Sequence, residues 1–577
     1  MVVTAKGSIP GDDDEQRLAT ERWREEGGRM KSRREAIAIA ASSLIGGCAA
    51  SAVCPGAAWS ASSVNRLGAW RRGFDGQRIA DLGDGRYLNP VFAGDHPEPA
   101  VLRDGSDHYI CFASADYYPG PMIWHSVDLL NWAPVGPVLS QPVGSIHGPE
   151  LVRHGGRYFL YMTVYPWSQA DDRDEAARRA RALIMVVHAD NIAGPWSAPV
   201  DLGLLGHCDP AHVVSEDGTR YLFLNNGYRV PLHADGLSGR GTPRQVYRGW
   251  PIPSDFINEG FVLDAVKIVR RDGWFYLFAA EGGGAGPANG HLVSVARARS
   301  VDGPWHDSPY NPLVRAEARD DPWWSRGRAV PVEGPDGRWW IIYHSYEKNL
   351  RSLGRQMILE PIEWRGDGWP RSLGGLLDVP LRAPAPSSNA THGVALGGPW
   401  SAQDLGRRVA IYRPGPADAR RVSFERGDLL IAGKGDGPAT SSPFAMVAGD
   451  RRYEMSVRIE PGGQAEAGLL LFYDHQLFCG LSVIDGSMRR YKLGQPMTWP
   501  VDSRSLPGPF HMKIVYKEDV ASFFLSQDGH AWSKIMTQEV SGYNVNMTDR
   551  PLSLRPALFV AGQGSARFSP LHYNGAL

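Results

Sequence analysis

Cysteine is scarce, with five in 577 residues, at positions 48, 54, 111, 208 and 479. Their spacing fits neither a disulfide-built scaffold nor a thiolate metal site. Net charge is equally scarce. The 61 Lys and Arg against 62 Asp and Glu leave −1 and no basic stripe, which excludes a general affinity for nucleic acid. No stretch approaches the roughly 20 apolar residues of a membrane-spanning helix, and no motif calls for a cofactor; a structural calcium ion would have to be held by acids that no spacing marks. What the chain has instead is 67 Gly, 44 Pro, 19 Trp, 21 Tyr and 18 Phe. This is the composition of a turn-rich, all-β globular protein too long for a single core.

Residues 1–60 read as an N-terminal extension and export signal. Charged residues 1–29 precede Met30-Lys31-Ser32-Arg33-Arg34, and a stretch rich in Ala, Ser and Gly follows. The pattern resembles a twin-arginine signal and predicts export to the periplasm or the exterior. Ile45-Gly46-Gly47-Cys48 approximates a lipoprotein cleavage site, which leaves lipid anchoring as an alternative.

From residue 85 to 378 one pattern recurs five times: EPAVLRDGSDHYICF, PELVRHGGRYFLYM, DPAHVVSEDGTRYLFL, DAVKIVRRDGWFYLFA and RAVPVEGPDGRWWIIYH. Each is a strand, a glycine turn (Gly105, Gly156, Gly218, Gly273, Gly337) and an aromatic strand, a hairpin repeated at propeller-blade spacing. A five-bladed β-propeller is therefore expected. Its first strands line a central channel, so Glu98, Glu150, Asp209, Asp264 and Arg328, which open the five copies, should converge at one end. Prolines 97 and 99 restrict the backbone on either side of Glu98 and aim it. Four acids meeting one guanidinium would be costly as packing, because like charges repel and raise each other's pKa, but suit acid–base work on a neutral, hydroxyl-rich substrate.

The stretches NPVFAGDHPEPAVLRDG, YYPGPMIWHSVDLLNW, GHCDPAHVVSEDGTRYLF, EGFVLDAVKIVRRDGWFYLF and LGRQMILEPIEW together resemble glycoside hydrolase family 43, the inverting β-xylosidases and α-L-arabinofuranosidases built on a five-bladed propeller. The resemblance implies Glu98 as general base, Asp264 as general acid, Asp209 as the residue that orients the acid and tunes its pKa, and Arg355 as a substrate ligand. It also shows departures. The family carries Asp at the base and Glu at the acid, the reverse of Glu98 and Asp264; Ala265-Val266 replaces Gly-Pro, and Arg328 stands where a His is usual. The chemistry requires one protonated and one ionised carboxyl roughly 6.5 to 9.5 Å apart. Asp95, Glu259 and Glu281 are reserve acids. One or two of Trp124, Trp167, Trp250, Trp323 and Trp324 would stack on a sugar, Trp124 foremost, while the others close blades; Glu150, His147 and Arg328 would meet hydroxyls, and His212 and His291 are ordinary hydrogen-bonding residues.

Residues 379–400, rich in Pro, Ala, Ser and Gly, read as a linker. Residues 401–577 alternate as strands between Gly and Asp turns and predict a C-terminal β-sandwich of jelly-roll type, similar to the concanavalin-like domain that follows the propeller in many β-xylosidases. The expected function is an exported, exo-acting, inverting glycosidase on xylan-type or arabinose-containing oligosaccharides. The alternative is a sugar-binding protein on an altered glycosidase scaffold.

Overall fold

A computed structural model describes residues 70–577, leaving out 168–174, 261–262, 285–288, 387–389, 500–504, 507 and 549. The export segment read in residues 1–60 lies outside the described residues. Five four-stranded antiparallel sheets, each in simple sequence order, form the blades of a propeller. Blade I is Ala100–Asp104, Asp107–Cys111, Met122–Ser126 and Ala133–Pro137; blade II is Ser145–His154, Arg157–Tyr165, Leu183–Ala189 and Val200–Asp201. Blade III is Ala211–Val214, Arg220–Leu224, Tyr228–Pro231 and Arg244–Gln245. Blade IV is Leu263–Arg271, Trp274–Glu281, Leu292–Ala298 and His306–Asp307, with Val314–Arg315 as an extra partner of its third strand. Blade V is Trp323–Glu333, Trp339–Glu347, Arg355–Trp364 and Pro370–Ser372.

The recurrent motif is the first hairpin of each blade. Its five turn glycines have φ between 65° and 87°, the left-handed region that glycine enters without a Cβ penalty. The alternating apolar residues pack between blades, so each junction has its own cluster. Leu151 and Leu160 meet Cys111 and Ile123 at junction I–II, Phe159 and Tyr161 meet Leu222 and Val230 at II–III, and Phe223 meets Phe275 and Leu277 at III–IV. Phe278 and Val293 meet Tyr343 and Ile358 at IV–V, and Trp340 and Leu359 meet Ile110 and Trp132 at V–I.

The ring is closed by the segment before blade I, which runs against the third strand of blade V. Val91 N–H donates to the Met357 carbonyl at 2.8 Å and His96 N–H to the Arg355 carbonyl at 2.9 Å. The Asn89 side chain exchanges two hydrogen bonds with the Leu359 backbone, at 3.0 and 2.9 Å. Blade V is thereby completed by residues that lead directly into Glu98.

The C-terminal strands form a β-sandwich built around Arg452–Phe472, which pairs along Ile459–Phe472 with Arg555–Phe568. It is joined to the propeller through backbone and core alike. Tyr117 and Tyr118, from a loop of blade I, pair with Tyr412 and Ile411 and so extend a sheet of the sandwich, while Ala115, Leu350 and Leu353 enter its apolar core. Described residues of the segment 379–400, expected as a linker, pack on the propeller: Leu381 and Arg382 pair with Tyr87 and Arg86, and Gly393 N–H donates to the Trp132 carbonyl.

A buried ionic network reinforces this join. Arg78 Nη2 donates to Glu347 Oε2 at 2.8 Å and to Gln356 Oε1 at 2.7 Å, its Nε donates to the Gly449 carbonyl at 2.9 Å, and Arg451 contacts Glu347 from the sandwich. Burial opposes the Glu347 charge, but the Arg78 and Arg451 guanidiniums pull its carboxyl down to about 2. A carboxyl depressed on folding contributes stability that is complete above its unfolded pKa and is lost as pH falls toward the folded value. We therefore expect Glu347→Gln to cost about 3–5 kcal/mol at pH 7, as an uncompensated buried charge does. The difference from wild type should shrink as pH falls from about 4.5 toward 2, read by urea denaturation.

Candidate active site

Each blade enters its innermost strand through a residue in left-handed backbone: Glu98 (φ 57°), Gly148 (48°), Asp209 (54°), Ala265 (47°) and Arg328 (59°). For non-glycine residues such conformations cost of order 1–3 kcal/mol and persist where surrounding structure enforces them. Pro99, Pro149 and Pro210 follow the first three. The turn brings Glu98, Asp209, Asp264 and Arg328 together at one end of the axis. Blade II contributes differently. A Cβ on Gly148 would lie 2.2 Å from Asp209 Oδ1, so glycine is required there, and its N–H donates to Glu98 Oε2 at 2.7 Å. Glu150, two residues further along, is not part of the group: it pairs with Lys267 Nζ at 2.5 Å and accepts the His212 N–H at 3.1 Å.

Arg328 is the hub. Its Nη1 lies 3.1 Å from Asp209 Oδ1 and 3.5 Å from Glu98 Oε2, and its Nη2 lies 3.9 Å from Asp264 Oδ2. A single guanidinium touching both keeps the Glu98 and Asp264 carboxyls within about 10 Å, which admits the separation needed for a water and a scissile bond between them.

The two acids have opposite electrostatics. Burial penalises the charge on Glu98, but Arg328, His147 and Arg355 outweigh it and hold the carboxyl well below the usual range. Arg355 Nη1 donates to Oε1 at 3.1 Å, and His147 Nδ1 is 3.4 Å from the same oxygen. The Glu98 N–H donates to His344 Nδ1 at 3.2 Å, and burial keeps that imidazole neutral. Asp264 is pushed up to about 6, first by burial and then by repulsion from Asp209, against the attraction of Arg328 and Arg179. Its Oδ1 is buried without a hydrogen-bond partner among the described residues. One carboxyl is thus poised to accept a proton and the other to give one.

Cys208 Sγ and carboxylate oxygens of Asp209 and Asp264 lie within 4.8 Å of one another, a spacing that a metal could use. The donor chemistry argues against it. Arg328 and Arg179 contact the same carboxylates, and burial keeps the thiol protonated.

The sandwich reaches the site. Arg355 Nη2 donates to the Pro551 carbonyl at 2.6 Å. Asp95 accepts the Arg355 N–H at 2.9 Å and a guanidinium hydrogen bond from Arg555 at 3.0 Å, so Asp95 braces the arginine that holds Glu98. Beside His147, a narrow pocket is walled by Tyr165, Trp167 and Arg178 from the propeller and Arg413 and Arg550 from the sandwich. Asp116 links both arginines, at 2.9 and 3.3 Å, and accepts from Trp167 at 3.1 Å. The sandwich residues follow no repeat, and no pattern in the sequence signals them.

Of the other expected residues, Trp124 is on the third strand of blade I, away from the axis, packed edge-on against Phe92 at 5.4 Å. Trp323 is in the IV–V core, and Trp324 and Trp250 are tied to the backbone carbonyl of Arg319 and the Glu281 carboxylate. Glu281 is wholly buried and pushed up to about 7 by that burial. The Glu259 N–H donates to the Gly282 carbonyl. His212 accepts from Arg220 Nε at 3.0 Å, and His291 packs beside His344 at 5.6 Å.

Residues 87–370 match the family described as Glycosyl hydrolases family 43. A putative beta-xylosidase of Escherichia coli K12 is 26% identical over 78% of this chain and 90% of its own length. A non-reducing end alpha-L-arabinofuranosidase of Bacteroides ovatus is 28% identical over 49% of this chain and 53% of its own length. Among solved structures, a GH43 protein of Bacillus licheniformis covers 85% of this chain and 100% of its own at a TM-score of 0.71 and 22% identity. A Bacteroides ovatus GH43 protein covers 85% and 99% at 0.73 and 22%. The last two establish likeness of fold.

The charge arrangement predicts how the acid titrates. Followed by carboxyl 13C NMR, Asp264 should titrate near pH 6. Asp209→Asn removes a repulsion and should move that midpoint down, whereas Arg328→Gln removes an attraction and should move it up; a midpoint unmoved by both would show that burial alone sets it.

Proposed function

We propose, from the match of residues 87–370 to glycosyl hydrolases family 43, that this protein is an exported, exo-acting, inverting glycosidase of xylan-type or arabinose-containing oligosaccharides. The observation that carries the reading is the opposed protonation of Asp264 and Glu98 on either side of Arg328. Asp264 gives its proton to the glycosidic oxygen as the bond to the anomeric carbon breaks. A water attacks that carbon from the opposite face and loses a proton to Glu98, so the configuration inverts. Burial, and after it repulsion from Asp209, raises the proton affinity of Asp264, and Arg355 and the Gly148 N–H hold Glu98 in line. The names of the relatives support the substrate class, and the sandwich residues beside His147 support a closed pocket suited to chain ends. Among the described residues no helix is long and apolar enough to cross a membrane. The Arg33-Arg34 pair ahead of a small-residue stretch supports export.

One observation favours a second reading, a sugar-binding protein. Arg328 stands between the three carboxylates and contacts each of them, in the space that substrate and water would share.

Aryl xylosides, arabinosides and galactosides separate the two. For the hydrolase, kcat/KM should fall as pH rises through about 6, where Asp264 loses its proton. Glu98→Gln and Asp264→Asn should each lower kcat by about 100- to 10,000-fold with little change in KM, and a good leaving group should rescue only Asp264→Asn. Activity untouched by both changes would move the roles to other acids, and wild type that binds these sugars without cleaving any would establish the second reading. For export, Arg33→Lys with Arg34→Lys should leave the protein in the cytoplasm, because the twin-arginine pathway reads guanidinium groups; normal export of that variant would sink the assignment.

A further inference from the structure

We propose that the cavity between blade I and the sandwich is a second ligand site, separate from the carboxylates, that takes one small hydroxylated ring, either a free pentose or a phenol. The cavity measures about 160 Å3, the size of cavities of about 150 Å3 that accept a single benzene ring. It lies at a domain junction and more of its wall is apolar than polar, a make-up common in small-molecule sites. Phe92, Phe112 and Trp124 line it together with Val394, Leu396 and Val409. The aromatic wall is rigid: Phe92 packs against Phe112 at 5.0 Å and 76°, and against Trp124 at 5.4 Å and 73°.

Two histidines supply the polar recognition. His96 Nδ1 lies 3.2 Å from the Gly94 carbonyl and His392 Nδ1 lies 3.1 Å from the Leu130 carbonyl. A carbonyl only accepts, so the His96 Nδ1 carries the proton and its Nε2 is left as an acceptor; the Trp132 N–H also meets His392 Nδ1, at 3.3 Å, so that ring offers a polar edge whose Nε2 donates or accepts with its tautomer. Burial holds both rings neutral, with pKa values pushed down to about 4. The lining therefore pairs ring faces with one acceptor, His96 Nε2, and a second imidazole edge for a ligand's hydroxyl groups. The four arginines of the lining are engaged elsewhere, Arg78 with Glu347, Arg555 with Asp95, Arg407 with the Val135 carbonyl and Arg408 with the Gly397 and Pro399 carbonyls, so a neutral ligand fits better than an anion.

The test is calorimetric titration of the full chain with phenol and with D-xylose, on wild type and on two variants that fill the cavity from separate lining segments, Val394→Trp and Ala410→Phe. Neither residue contacts the carboxylate group, so melting temperature and hydrolysis of an aryl glycoside should be retained, which identifies a folded variant. The expected result is saturable binding of one ring per chain by at least one probe, weakened at least tenfold in both variants and unchanged in Glu98→Gln. Binding by phenol alone identifies an aromatic ligand, and binding by xylose alone a sugar. Saturation by neither probe, or phenol binding that survives both filling variants, overturns the proposal; xylose binding that survives them but falls in Glu98→Gln belongs to the carboxylate site and counts against a sugar in the cavity.

Discussion

The hydrogen bond from Arg355 to Glu98, at 3.1 Å, is where the structure's separate demands meet. Arg355 begins the third strand of blade V, and Glu98 ends the segment that completes that blade. Closing the ring and placing Glu98 are consequently one event: the backbone bonds from Val91 and His96 to Met357 and Arg355 fix the register that brings guanidinium and carboxylate together. A one-residue slip would turn Glu98 away from the axis, because strand side chains alternate. The chain ends of a propeller are its natural weak point. Here that junction is held by apolar packing of Trp340, Leu359 and Trp132 as well as by the ion pair.

Around this junction the protein collects buried charge, which folding tolerates only when it is paired. Three carboxylates share Arg328, and each is treated differently by its remaining neighbours. Glu98 also has Arg355 and the Gly148 amide, so it stays ionised; Asp264 faces Asp209 and leaves Oδ1 without a partner among the described residues, so it favours its proton.

The fold was legible because its information is local. Turn glycines and alternating apolar residues recur in each hairpin, and each blade requires only its neighbours. Glu98, Asp209, Asp264 and Arg328 could be gathered from sequence because equivalent positions in equivalent blades must converge on the axis. The same logic stopped short at blade II, where the equivalent position is Gly148 and not Glu150: a backbone N–H has no sequence signature. Trp124 belongs to a third strand, off the axis, and no composition argument distinguishes a Trp that stacks on a ligand from one that packs on Phe92. Arg413, Arg550 and Arg555 come from a domain with no repeat, far along the chain from Asp95, and only the folded chain brings them to the site.

That distance determines what the sandwich is for. A domain attached only by a linker could be removed with little effect on the propeller. Here Tyr117 and Tyr118 leave blade I to pair with Ile411 and Tyr412, and Arg555 satisfies one oxygen of Asp95 while the Arg355 N–H satisfies the other. Without the sandwich, Asp95 would keep its charge and lose its guanidinium, Arg355 would lose the Pro551 carbonyl, and the tyrosine pair would expose an unpaired edge. Each of these groups lies within three residues of the base or bonds directly to its holder, except for the edge at Tyr117. The β-sandwich therefore acts as the outer wall of the propeller's ring closure, and the geometry of Glu98 is a property of both domains together.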